Sequence, residues 1–387
     1  MIDISRKEGA LLGAYVGDAA SLGFHWLYEP SRIRELAPET PEFREPSAAD
    51  FEGAAGFFAA TGKSAGDLSH YGAQLDVALR SLVATRGDWN PFHYQARFCQ
   101  TFDRGGSFTG YIDTATGLTI DNVASATDKL LSDLIGEVGG LDEKQAGYVK
   151  RYTAKKGLEH RGPKLAEAVA GIIGMVFEDD AVTEKAKEVA RLYDQRRTAR
   201  LGGEDNQLPA VAKLPVVVGR FAGQEGGLER TLEAIEVTNR HPEALSFGRY
   251  AAAALERVIL GESVRTALES AREVNGDAPE VEKRLDEAFA AKVDDLEALG
   301  EQFGMACPLP SAIPLAVAIL KEAPDYVTGI RQNLYAGGDN AGRAVWLGAM
   351  LGAANGIGGT SGIPLAWVGK LADGPRLLGD VSAAARY

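Results

Sequence analysis

The stretch GALLGAYVGDA (residues 9–19) places glycines at positions 9, 13 and 17. Residues four apart lie one above the other on a helix, so these glycines share one face. A face of small residues lets another helix come close, and the segment reads as a deeply buried helix. Ser5, with Glu8 three residues on, reads as a capping box that opens it.

The same period recurs along the chain. HYGAQLDVALRSLVATRG puts Tyr71, Leu75, Ala78, Leu79 and Leu82 on one stripe and stops near Gly87. Pro163 opens PKLAEAVAGIIGMVF, which carries Leu165, Val169, Ile172, Ile173 and Val176 at helical spacing. EALSFGRYAAAALERVILG repeats the pattern, and SVRTALESAREV, VEKRLDEAFAAKVDDLEALG and DYVTGIRQNLYAGG read as further amphipathic helices. VVVG at 216–219 is too short to decide a strand, and no alternating segments flank hairpin turns. The expected fold is all-α, a compact multi-helix single domain over 1–387. Residues 29–63 and 103–117 read as long loops, which in compact domains are often functional.

Composition narrows the function. The 387 residues are 45% hydrophobic and 25% charged, as in ordinary globular proteins, and the net charge is −13. That charge argues against a nucleic-acid partner, which needs a basic surface. It leaves room for a small anionic ligand in a local pocket. Cys99 and Cys307 form no CxxC pair, so no thiolate zinc site is indicated. No stretch reaches about 18 uninterrupted apolar residues, so no membrane span is expected. The opening residues lack a basic segment before an apolar core, which argues against a signal peptide. With so few cysteines, the expected location is cytoplasmic.

Three aspartates stand out: Asp18 in YVGDAASLGFHW, Asp67 in GKSAGDLSHYGAQ, and Asp339 in YAGGDNAGRA. The last two follow glycine turns just before strong helices. A carboxylate there meets unpaired backbone N–H groups and the positive end of the helix dipole, which lowers its pKa. Aspartate is a favoured N-cap, and capping is the ordinary reading. The sharper reading is convergence of two such turns on a hard cation such as Mg²⁺.

These motifs resemble a known family. GALLGAYVGDAASLGF looks like the opening GxLLGxxxGDAxG segment of the ADP-ribosylglycohydrolases. GGDNAGRAVWLGAMLGAANGIGGTSGIPLAWVGKL is similar to their closing segment, and VTNRHPEALSFGRYAAAAL and CPLPSAIPLAVAIL resemble segments between. GDLSHYGAQ and GYIDTATG resemble a branch that includes J-type crystallins. The resemblance implies a hydrolase that cleaves a ribosyl glycosidic bond of an ADP-ribosylated substrate. It implies two magnesium ions held by an early TDDT-like turn and a late GDTDT turn.

The match is partial. Gly66, Asp67, Leu68 and Ser69 stand where Thr, Asp, Asp and Thr are usual; Asn340, Ala341 and Gly342 follow Asp339 where Thr, Asp and Thr belong. Four carboxylates have become two, which points to one ion or none, since two close cations need several anionic oxygens. The resemblance therefore assigns Asp67 and Asp339 as catalytic and Asp67, Ser69 and Asp339 as metal ligands. Asp18, His25, Trp26, His70, Tyr111, Gly337, Gly338 and Asn340 are the candidate substrate contacts. The glycine-turn amides and helix dipoles would hold a diphosphate. Trp26 or Tyr28 offers a ring for an adenine, with core packing as the alternative. Asp113 accompanies Tyr111 as a cleft or loop residue, and Asp205, Asn206 and His241 read as structural turn residues. Two other functions stay open: a non-catalytic ADP-ribose-binding or crystallin-like structural protein, and a hydrolase of another glycoside using His25 or His70 as acid–base. The oligomeric state is not legible.

Overall fold

The structure, a computed structural model, describes residues 3–156, 164–177, 179–276 and 278–387. Its helices, in chain order, are α1 (Ile4–Ser21), α2 (Pro30–Leu36), α3 (His70–Ala84), α4 (Pro91–Phe102), α5 (Thr114–Val138), α6 (Glu143–Lys155) and α7 (Leu165–Phe177). There follow α8 (Asp180–Arg196), α9 (Pro209–Ala212), α10 (Leu214–Phe221), α11 (Gly227–Glu236), α12 (Pro242–Ile259), α13 (Val264–Ser270) and α14 (Pro279–Ala290). The last are α15 (Leu296–Phe303), α16 (Leu309–Leu320), α17 (Tyr326–Tyr335), α18 (Asn340–Asn355), α19 (Leu365–Val368) and α20 (Gly374–Ala385). Among the described residues the only β pairings are isolated bridges. The fold is all-α, and VVVG lies inside α10. No described helix is long and apolar enough to cross a membrane.

At the centre α1 and α18 run antiparallel with their backbones in contact. A Cβ added at Gly9 would stand 2.2 Å from the carbonyl oxygen of Gly352, and one at Gly13 would stand 2.2 Å from that of Gly348. At Gly17 the neighbour is the Ala344 carbonyl oxygen, at 2.7 Å. The glycine face of α1 thus has one partner, in one register. α17 locks the pair from the side, where the Tyr326 hydroxyl donates to the Gly13 carbonyl at 2.6 Å. α12 does so where the Trp346 indole donates to the Ala251 carbonyl at 3.0 Å. Fully buried Leu12, Tyr15, Phe247 and Trp346 belong to this core, and each such side chain contributes about 1.5–3 kcal/mol. A second, smaller core joins the far half of α5 to α6, α7 and α8 through Leu134, Val149, Val169, Ile173 and Ala190.

Several local expectations are corrected. The cap of α1 is Asp3, whose Oδ1 accepts the Ser5 amide at 2.9 Å, so the Ser5–Glu8 box does not form. The 29–63 stretch is not all loop. Pro30, at the first turn, starts α2, and Ala48–Phe51 forms a 3₁₀ turn. The 103–117 loop ends earlier, at Asp113, which caps α5 through the Thr116 amide. Pro163 lies outside the described residues.

Candidate functional site

The register of α1 on α18 brings the end of the first helix to the start of the other. Beyond α1 the chain turns through Leu22–Phe24 into His25 and Trp26. Trp26 has φ +67°, a conformation that bulky residues rarely adopt. Its amide donates to the Gly338 carbonyl at 2.8 Å, and its carbonyl accepts from the Phe57 amide at 3.1 Å. Such strain costs about 1–3 kcal/mol and persists where surrounding structure fixes it. Here it aims both rings at the N-terminus of α18.

Asp339 sits there with no exposure. Its Oδ1 accepts from the Gly342 amide at 3.2 Å, and its Oδ2 accepts from the Tyr71 hydroxyl at 2.6 Å. His25 Nδ1 lies 3.6 Å from Oδ1, too far for a hydrogen bond. The His25 ring stands 4.8 Å from Trp26 and 5.6 Å from His70, centroid to centroid. Tyr111 closes the cluster with its edge on Trp26 at 4.7 Å, and it is 37% exposed where the others are buried. Both His25 nitrogens and His70 Nε2 are buried without a hydrogen-bond partner.

The late turn is closed on itself. The amides of Gly337, Gly338 and Asp339 go to the carbonyls of Leu334, Leu27 and Met305. They are not a free anion cradle, contrary to the diphosphate expectation. Asn340 uses its side-chain amide on the Phe24 carbonyl at 3.0 Å and leaves its Oδ1 unpartnered. Gly342 is small for a reason, since a Cβ there would lie 2.7 Å from Tyr71 Cε2. The tyrosine occupies the space that a threonine side chain would need.

The early turn faces elsewhere. Ser69, not Asp67, caps α3, with its hydroxyl accepting from the Tyr71 amide at 3.1 Å. That hydroxyl also donates to Asp18, which accepts the Ser69 and Gly72 amides at 2.8 and 3.2 Å. Asp67 Oδ2 accepts from the Ser64 amide at 2.8 Å, and Asp67 lines a depression beside Asp76, Val77 and Arg80. His70 and Tyr71, which face the buried cluster, lie on a different face of α3 from Asp76 and Arg80. The structure therefore gathers His25, Trp26, His70, Tyr111 and Asp339, spends Asp18 on Ser69 and Gly72, and leaves Asp67 outside.

Burial sets the electrostatics. It pushes His25 and His70 down to about 3, helped by Arg343 for the first and by His25 for the second, so both stay neutral near pH 7. The His25–Asp339 approach is thus not an ion pair. Asp339 is raised by burial against the Tyr71 hydrogen bond, which reverses the lowering expected from its helix-end position. Burial likewise raises Asp18 to about 7 and Asp113 to about 6.

The donor set does not fit a two-magnesium centre. Hard cations take several carboxylate oxygens. Here Ala341 and Leu68 offer none, the Ser69 hydroxyl is committed to Asp18, and Asp67 points away. Among the described residues no group of three or more His, Cys, Asp or Glu is placed to hold a metal.

Two residues of the site escaped the sequence reading. Tyr71 reads in the sequence as a core-stripe residue. Arg343 is 1% exposed and donates to the carbonyls of Met305 at 3.1 Å and Gly337 and to Asn333 Oδ1 at 2.9 Å. Its signal was present: one charge inside the apolar run NAGRAVWLGAML.

An all-α fold pairing a GD-bearing first helix with a GGD-capped late helix defines the ADP-ribosylglycohydrolase class. The sequence profile of the ADP-ribosylglycohydrolase family matches residues 2–386, and the chain belongs to that family. It is 22% identical to Crystallin J1A of Tripedalia cystophora over 379 residues, covering 96% of this chain and 94% of the crystallin. A solved structure, an ADP-ribosylglycohydrolase-related protein complex, shares the fold with TM-score 0.58 and 16% identity, over 99% of this chain and 98% of that one.

Proposed function

We propose that this chain binds a ribosyl ligand of the ADP-ribose class against His25, His70 and Asp339, with Tyr111 at the rim, and does not run the two-magnesium hydrolysis. The carrying observation is the set of buried, unpartnered imidazole nitrogens around one carboxylate beneath a half-exposed tyrosine. Leaving a buried polar atom unpaired costs about 1–3 kcal/mol, so a polar guest that pairs these nitrogens recovers that cost. Ribose hydroxyls and phosphate-linked sugars offer such donors and acceptors. The incomplete carboxylate set supports binding without metal-assisted turnover, and the likeness to a crystallin is compatible with a role outside catalysis.

A second reading has one specific support. His25 Nδ1 stands 3.6 Å from Asp339, and a small shift would make the pair an acid–base unit for metal-independent cleavage of the ribosyl bond. A thermal-shift panel separates the readings. ADP-ribose raises the melting temperature equally in EDTA and in Mg²⁺, and no ADP-ribose is released from an ADP-ribosylated substrate. Metal-independent release that is lost in His25→Gln favours the second reading. Release that requires Mg²⁺ overturns both.

A further inference from the structure

The depression that holds Asp67 is a second concave site, on a separate face of α3 from the buried cluster. It has a volume of about 390 Å³, between α3, α4, the turn before α3 and the start of α20. That is within the usual range for small-molecule pockets, about 300–1,000 Å³. Its lining carries Lys63, Arg80, Arg97 and Arg376 against Asp67, Asp76 and Asp373, and most of the carboxylates gather on Arg376. Arg376 is consumed by Asp76 at 3.0 Å, Asp380 at 2.8 Å and Asp373. Three other cations line or border the same hollow without a close carboxylate partner. The Lys63 ammonium lies over the Phe108 ring, 4.9 Å from its centroid. Arg80 reaches Asp76 only at 3.8 Å, and the Arg97 Nε meets His93 Nε2 at 3.5 Å. Against them stands one carboxylate outside the Arg376 network, Asp67. Gln100, Thr101 and Ser107 add neutral hydrogen-bonding groups to the wall.

Because the other carboxylates are spent on Arg376, Lys63, Arg80 and Arg97 keep donors for a guest even on a chain of net charge −13. Two guanidinium forks and an ammonium around one concavity match the oxygens of a phosphate ester, which arginine binds in bidentate fashion. We propose that this depression binds a phosphorylated small molecule through Lys63, Arg80 and Arg97. Asp67, which the family resemblance would place on a metal, instead tempers the charge of this site. The site is independent of the ribosyl site proposed above, because its lining includes none of His25, His70, Tyr111 and Asp339.

Calorimetric titration of the full chain with inorganic pyrophosphate at low salt tests it. Saturable binding is expected. The double substitution Arg80→Gln, Arg97→Gln weakens it about tenfold or more, the loss of two charge-assisted contacts. Asp67→Asn tightens it, by about threefold, because it removes the carboxylate that is not held by Arg376. All three positions are at least partly exposed, so circular dichroism melts of the variants are expected to match the wild type. No saturable heat, equal affinity in the double variant, or weaker binding in Asp67→Asn overturns the proposal.

Discussion

Asp18, in the last turn of α1, is a second cap for α3. Its carboxylate takes the Ser69 amide at 2.8 Å, the Gly72 amide at 3.2 Å and the Ser69 hydroxyl. All three partners are donors, so an amide in its place sets an N–H₂ against them. Asp18→Asn is expected to cost about 1–3 kcal/mol in urea denaturation. The pH dependence has a definite sign. Burial raises the folded-state value from 3.8 to about 7, so the folded chain holds this proton more tightly than the unfolded chain. The stability from that proton is full below the unfolded value and is lost as pH rises through about 7. The gap between wild type and Asp18→Asn is therefore narrower at pH 8 than at pH 5. A gap that widens with pH would mean that the three donors outweigh burial.

The two histidines give the opposite slope. His25 and His70 are lowered to about 3 by burial, so the unfolded chain binds protons that the folded chain refuses. Stability falls as pH drops below the ordinary histidine value, by about 2 kcal/mol per histidine between pH 7 and pH 5. His25→Gln with His70→Gln removes that loss, so acidification harms the double variant less than the wild type. Imidazole ¹⁵N shifts that stay constant over the same range in the native protein check the cause directly. A titration midpoint near 6.5 for either ring would refute it.

The residues that were legible from sequence are those whose environment is local. Helical period and the glycines at 9, 13 and 17 carried the all-α fold, because one helix can display its buried face without its partner. The site was less legible because its members depend on direction. Asp67 and Ser69 are two residues apart in one turn, yet Ser69 caps α3 and meets Asp18 while Asp67 turns to another surface. No spacing rule decides which of two capping-type residues takes the amides. The acidity expected of Asp339 failed for a similar reason. A helix N-terminus lowers a carboxylate pKa, and full burial, which depends on Tyr71 and Trp26 arriving from elsewhere, raises it more.

Arg343 ties the late turn to its surroundings. Its guanidinium serves the Met305 and Gly337 carbonyls and Asn333, within reach of the buried Asp339 charge. Arg343→Met keeps much of the volume and removes the donors, leaving the Gly337 carbonyl and Asn333 Oδ1 dry while the Met305 carbonyl keeps the Asp339 amide. The expected loss is about 3–5 kcal/mol, read as a lower urea midpoint. Arg343→Lys recovers only part, since one ammonium cannot reproduce the planar fork. Full recovery by lysine would reduce the role of Arg343 to its charge.

The glycine contact between α1 and α18 gives the sharpest steric prediction. A Cβ at Gly352 would lie 2.1 Å from the Gly9 carbonyl oxygen and 3.1 Å from Gly13 Cα. Both neighbours are backbone, so no side chain can rotate away and the helices must separate. Overpacking a core costs about 1–3 kcal/mol, and backbone contacts leave the least room for relief. Because the same register delivers His25 to Asp339, Gly352→Ala should also disturb the buried cluster, seen as shifted His25 resonances in any folded fraction. Gly379 in α20 is the control, since a Cβ there meets nothing within 4 Å. Gly379→Ala should instead stabilise by up to about 1 kcal/mol, through helix propensity alone. Equal effects from the two substitutions would mean that the helices do not touch through their glycines.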